Sequence, residues 1–158
     1  MPRTAIAVIG AGVCDAEVAA AAYQIGGLIA TRGGVVVTGG LSGVMEAASR
    51  GAHDAGGLVV GILPGLDSAA ANDAVDVAIP TGMGQLRNGL VVTSSKAVIA
   101  VAGEWGTLSE IGFALKLGIP VIGWNTWELS RDGAPRHGIV RVSTPIQAVD
   151  QAFAHCAK

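Results

Sequence analysis

A three-layer α/β/α domain of the Rossmann-like kind with a mostly parallel sheet is predicted by three observations. Short Val/Ile-rich runs recur along the sequence, longer alanine-rich runs alternate with them, and glycines cluster where one kind gives way to the other. At 158 residues, 51% hydrophobic and 14% charged, the chain has the size and apolar content of a single domain spanning residues 1–158. Ten Lys+Arg against twelve Asp+Glu give a formal charge of -2, and no basic run exists to neutralise a row of phosphates. A nucleic-acid partner is therefore not expected.

The elements follow in order. Residues 5–9, 35–38, 58–63, 75–79, 97–101 and 120–123 read as strands buried on both faces. Between them, residues 15–31, 42–55, 84–93 and 107–117 have helical length and composition, and 144–155 closes the chain as a further helix. Residues 64–73 and 124–137 are less regular, the second containing the turn sequence Arg131-Asp132-Gly133-Ala134-Pro135. The apolar stretch 4–14 is too short to span a bilayer and is followed by Asp15 and Glu17. It reads as the first strand of a cytoplasmic protein with no membrane partner. Cys14 and Cys156 lack companions at metal or redox spacing, and His53, His137 and His155 stand far apart, so no metal is expected.

In an open parallel sheet, ligands sit beyond the carboxyl ends of the strands, which directs attention to the strand-to-helix turns. The first carries Gly10 and Gly12 but has Asp15 where a dinucleotide fingerprint needs its third glycine. The second strand also ends in Thr38-Gly39-Gly40, without the acid that would bind a ribose, so an NAD site is disfavoured. Gly10 and Gly12 serve either a tight turn or direct ligand contact.

The second turn, Gly39-Gly40-Leu41-Ser42-Gly43-Val44-Met45-Glu46, combines small residues with a helix start, the makings of an anion site. The bland alternative makes Ser42 an N-cap. The third turn, Gly103-Glu104-Trp105-Gly106-Thr107-Leu108-Ser109-Glu110, repeats the pattern, although Thr107 and Glu110 also have the spacing of a capping box. Trp105 either stacks on a ligand base or packs over the helix start. Arg87, beside Asn88 in a largely uncharged segment, calls for an anion: a bound phosphate, or an ion pair with Glu110 or Glu104. A plain surface arginine is the alternative.

In this order, Gly39-Gly40-Leu41-Ser42-Gly43-Val44-Met45-Glu46-Ala47-Ala48, Gly61-Ile62-Leu63-Pro64, Arg87-Asn88 and Gly106-Thr107-Leu108-Ser109-Glu110 resemble the Rossmann-like family that includes the molybdenum-cofactor carrier proteins. The resemblance covers nearly the whole chain. It implies a phosphorylated small-molecule partner, a nucleotide or molybdopterin-type ligand. Gly10, Gly12, Gly39, Gly40, Ser42, Gly43, Met45, Arg87, Asn88, Gly103, Gly106 and Thr107 are the candidate binding residues. It also implies a homodimer or higher homo-oligomer.

A more distant similarity is to the Lonely Guy phosphoribohydrolases, which release a base from nucleoside 5′-monophosphates. Their Pro-Gly-Gly-x-Gly-Thr-x-x-Glu motif implies Arg87 and Glu110 as catalytic residues, should this chain be an enzyme. Ala102 stands in place of the motif's proline, Glu104 in place of its second glycine, and Glu46 where those enzymes usually have glycine. Each departure points towards the carrier-type branch.

Overall fold

The structure, a computed structural model, describes residues 1–158. In chain order the elements are β1 (Ala5–Gly10), α1 (Ala16–Thr31), β2 (Val35–Thr38), α2 (Val44–Asp54), β3 (Leu58–Leu63), β4 (Val77–Pro80), α3 (Asn88–Thr93), β5 (Ala97–Val101), α4 (Trp105–Leu117), β6 (Val121–Trp124), β7 (Leu129–Arg131), β8 (Ala134–Arg136), β9 (Ile139–Val142) and α5 (Pro145–Cys156). Short 3-10 turns at Ser68–Ala70 and Gly84–Arg87 complete the list.

Seven strands form one parallel sheet in the order β4-β3-β2-β1-β5-β6-β9. The Rossmann-like α/β class predicted from the sequence is the class observed. The β-branched residues of the central strands are buried on both faces, as parallel strands between helical layers require. One core joins the sheet to α1, α2 and α5 through Ile25, Ile29, Ala48 and Val149. The other joins it to α3 and α4 through Val91, Val92, Ile111 and Ala114.

Helices α1 and α2 lie in close contact because glycine faces backbone on each. A Cβ at Gly26 would stand 1.9 Å from the carbonyl oxygen of Ala48, and one at Gly51 would stand 1.9 Å from that of Tyr23. The small residues of α1 therefore serve contact with α2.

Three local readings are corrected. The segment 84–93 is not one helix: a 3-10 turn over Gly84–Arg87 precedes α3, Gly84 having a positive φ of 58°. Residues 124–137 contain a hairpin, β7–β8, whose Asp132-Gly133 loop has φ 51° and 74°, the left-handed pair that a two-residue loop demands. Ile139–Val142 is a seventh parallel strand, β9, which the sequence reading did not include.

Strand order reverses at β1, which has β2 on one side and β5 on the other. The carboxyl ends of these three strands, at Gly10, Thr38 and Val101, open the crevice in which open α/β sheets hold ligands.

Candidate functional site

A cavity of about 500 Å³ lies at that crevice, within the usual size for a small-molecule site. Of the candidate residues, the structure brings Gly10, Gly12, Gly39, Ser42, Met45, Arg87, Asn88, Gly106, Thr107 and Glu110 to its wall. Gly40, Gly43 and Gly103 are not on that wall but belong to the turns that form it. All three have positive φ, and a Cβ on Gly43 would stand 2.3 Å from the carbonyl oxygen of Ala11. The first two turns are thus packed together, with Val44 N–H donating to Ala11 O at 3.0 Å and Ser42 Oγ to Gly12 O at 2.8 Å.

These contacts correct the capping alternatives. Ser42 does not cap α2: the N-cap is Gly43, no side chain bonds there, and the N–H groups of Met45 and Glu46 have no acceptor in the chain. Thr107 and Glu110 form no capping box either, because α4 starts at Trp105 and places Thr107 inside the first turn. The helix N-cap is Glu104, whose side chain makes no capping bond, so the N–H groups of Gly106 and Thr107 remain free. Two helix starts therefore present unpaired donors and partial positive charge at one cavity.

The first turn differs. Asp15 caps α1 by accepting from Val18 N–H at 2.9 Å, so that helix start is occupied by its own carboxylate. Gly10 has a packing reason, since a Cβ there would stand 2.6 Å from the Val44 side chain, whereas Gly12 has no neighbour nearer than Ser42 Oγ at 3.6 Å.

Arg87 is 6% exposed, which overturns the surface alternative. Its Nε donates to Ile62 O at 2.8 Å, Nη2 to Gly39 O at 3.3 Å and Nη1 to Asn88 Oδ1. Neither Glu110 nor Glu104 forms an ion pair with it, the ion pairs of the chain's arginines being Arg32–Asp150 and Arg50–Glu46. Glu46 thus faces Arg50, away from the cavity. Arg87 braces the turn after β2 against β3, and two of its five N–H groups stay available. Asn88 completes the brace by donating from Nδ2 to Ser109 Oγ at 3.2 Å.

Glu110 is 8% exposed and makes no hydrogen bond, yet no fully buried side-chain oxygen in the chain lacks a partner. Its free carboxyl is therefore the part that reaches the cavity. Burial pushes its pKa up to about 8, with the Arg87 charge opposing the rise. At neutral pH the neutral acid predominates.

Sequence reasoning missed Asn72 and the loop after β6. Asn72 Nδ2 donates to Leu41 O at 2.9 Å and Gly40 O at 3.3 Å, and its N–H also donates to Gly40 O. Ala102 has φ 48°, and its carbonyl accepts from Thr126 Oγ1 at 2.6 Å, while Trp127 Nε1 donates to Glu104 O at 3.3 Å. Trp105 packs on Trp127, ring centroids 5.1 Å apart, and stays 74% exposed. No group of His, Cys, Asp and Glu is placed to hold a metal ion, and no helix is long and apolar enough to cross a membrane.

Fold and site define a Rossmann-like α/β protein with a small-molecule cavity at its topological switch point. The chain belongs to the SLOG cluster4 family, whose model matches residues 3–149. An uncharacterized protein of Archaeoglobus fulgidus is 53% identical over 113 residues, 72% of this chain and 74% of that one. The molybdenum cofactor binding protein of Rippkaea orientalis superposes with a TM-score of 0.89 at 39% identity, covering 98% of each chain. The molybdenum cofactor carrier protein of Chlamydomonas reinhardtii does so with a TM-score of 0.89 at 32% identity, covering 99% of this chain and 100% of its own. The resemblance to the carrier proteins is thereby shown across the fold.

Proposed function

We propose that this chain binds a phosphorylated small molecule, nucleotide-like or pterin-type, and holds it as a cofactor-binding or carrier protein. The observation that carries the reading is the convergence of the α2 and α4 starts, with free N–H groups at Met45, Gly106 and Thr107, on one cavity. Such donors suit phosphate oxygens, and Arg87 adds a fixed positive charge whose remaining N–H groups suit the same anion. The similarity to proteins described as binding or carrying molybdenum cofactor favours a molybdopterin-type ligand. The same reading carries a cytoplasmic homodimer or higher homo-oligomer with no nucleic-acid partner.

A second reading, hydrolysis of the N-glycosidic bond of a nucleoside 5′-monophosphate, is favoured by one observation: Arg87 and Glu110 line the same cavity. There Glu110 would steady the oxocarbenium-like ribose or orient water, and Arg87 would hold phosphate or the departing base. Thermal shift with molybdenum cofactor and a panel of nucleoside 5′-monophosphates, run beside chromatography for released base, separates the two. Stabilisation without base release, retained in Glu110→Gln, is expected. Base release by the wild type that Glu110→Gln and Arg87→Ala abolish while still folded would replace the carrier reading, and no stabilisation by any ligand would overturn binding.

A further inference from the structure

We propose that Glu110 binds the ligand as a neutral carboxylic acid, donating a hydrogen bond to an acceptor oxygen of the ligand, so that binding requires one proton on the protein and weakens as that proton is lost. The inference deepens the proposed function and rests on it. Its basis is a residue 8% exposed whose carboxyl is the part that reaches the cavity and has no hydrogen-bond partner on the protein.

An ionised Glu110 in this position would have partners to hand. Free N–H groups of Gly106 and Thr107 and the spare N–H groups of Arg87 belong to the same cavity, yet the side chain bonds to none of them. Those donors suit an incoming anion. An ionised carboxylate among them would compete with that anion and repel it, whereas the protonated form adds one more donor to the set. Burial favours the protonated form, and Arg87 opposes it.

The surroundings make Glu110 the group that titrates. Helix α4 packs on α3, β1, β5 and β6, none of which carries an ionisable side chain. Arg87 and Glu104 are the only other ionisable residues of the cavity wall. Arg87 stays cationic throughout the working range, and Glu104 is exposed at the rim. On α4 itself the nearest charge is Lys116, exposed near the far end. A neutral Glu110 also bears on the hydrolase reading, because a protonated acid cannot accept a proton from water.

The test is calorimetric titration of 5′-AMP into wild type and Glu110→Gln between pH 7 and pH 9, a range above the phosphate's own titration near about pH 6. With Glu110 titrating at about 8, wild-type affinity should fall about tenfold across the range, while the variant, whose amide cannot ionise, should stay flat within about twofold. In buffers of different ionisation enthalpy, wild type should take up close to one proton per ligand at pH 9, and the variant none. Binding with the same pH dependence in both proteins, or no proton uptake by wild type at pH 9, would overturn the inference and leave the binding function standing. So would a Glu110→Gln protein that melts cooperatively but has lost binding at pH 7. Failure of 5′-AMP to bind wild type at any pH would overturn the inference, while the binding reading itself falls only if molybdenum cofactor and the other nucleotides fail as well.

Discussion

Replacing Glu110 by Gln should stabilise the protein, although it alters a residue of the cavity wall. In the folded chain Glu110 keeps its proton up to about pH 8, whereas the unfolded chain releases it near 4.5. Over that interval the native state binds the extra proton, so its stability falls with rising pH by about 1.4 kcal/mol per unit. The contribution is fully present below pH 4.5 and fully lost above pH 8. At pH 7 the loss amounts to about 3 kcal/mol, set by burial and reduced by Arg87. Glutamine has the same shape and no charge to neutralise, so it should recover that amount, raising Tm by about 6–12 °C in a chain of this length. Melting curves at pH 5, 7 and 9 provide the assay. Wild type and variant should nearly coincide at pH 5 and diverge by about 5 kcal/mol at pH 9. A variant that melts lower at pH 7, or parallel pH profiles, would refute the reasoning.

Other substitutions probe the turns. Ala102→Gly should stabilise by about 1 kcal/mol in denaturant melts, because φ 48° is costly for alanine and free for glycine. Ala102→Pro should destabilise by about 3 kcal/mol or more, since proline cannot adopt that φ and the N–H bond to Trp124 O is lost. Gly43→Ala should destabilise by about 2–3 kcal/mol through the Ala11 and Gly12 backbone it would strike, whereas Gly12→Ala should leave the melting curve nearly unchanged. In ligand thermal shifts, Gly12→Ala should nevertheless weaken binding, as its methyl group would stand at the cavity wall. Asn72→Ala, which removes the clamp on Gly40 and Leu41, should cost about 1–2 kcal/mol in the same melts.

The parallel sheet was legible because burial on both faces leaves a plain trace, runs of β-branched and small residues without a charge such as Val35–Thr38 and Ala97–Val101. β9 left a weaker one: it lies at the sheet edge and carries Arg141 in only four residues. Among the site residues, the glycine clusters were visible but their division of labour was not. Gly10 answers to Val44 and Gly43 to the Ala11–Gly12 backbone, contacts made across about 30 residues of chain, whereas Gly12 answers to neither. Arg87 was conspicuous as a charge in an apolar stretch, yet its main partners are two backbone carbonyls, which no side-chain pattern advertises. Asn72 was invisible for the same reason.

The capping of each helix start explains why the three glycine turns are not equivalent. Asp15 and Glu104 both stand at an N-cap, but only the Asp15 carboxylate bonds back to its helix, so α1 satisfies its Val18 N–H with its own cap while α4 keeps Gly106 and Thr107 free. Gly43 leaves the α2 donors free by having no side chain at all. The difference at α4 follows from its backbone. Ala102 and Gly103 turn left-handed, at φ 48° and 104°, held by Thr126 Oγ1 on the Ala102 carbonyl and Trp127 Nε1 on that of Glu104. Proline in place of Ala102 would forbid that path. The departure from the phosphoribohydrolase motif is thus built into the conformation of the turn, and it lets a carboxylate occupy the N-cap without closing the helix start to an anion.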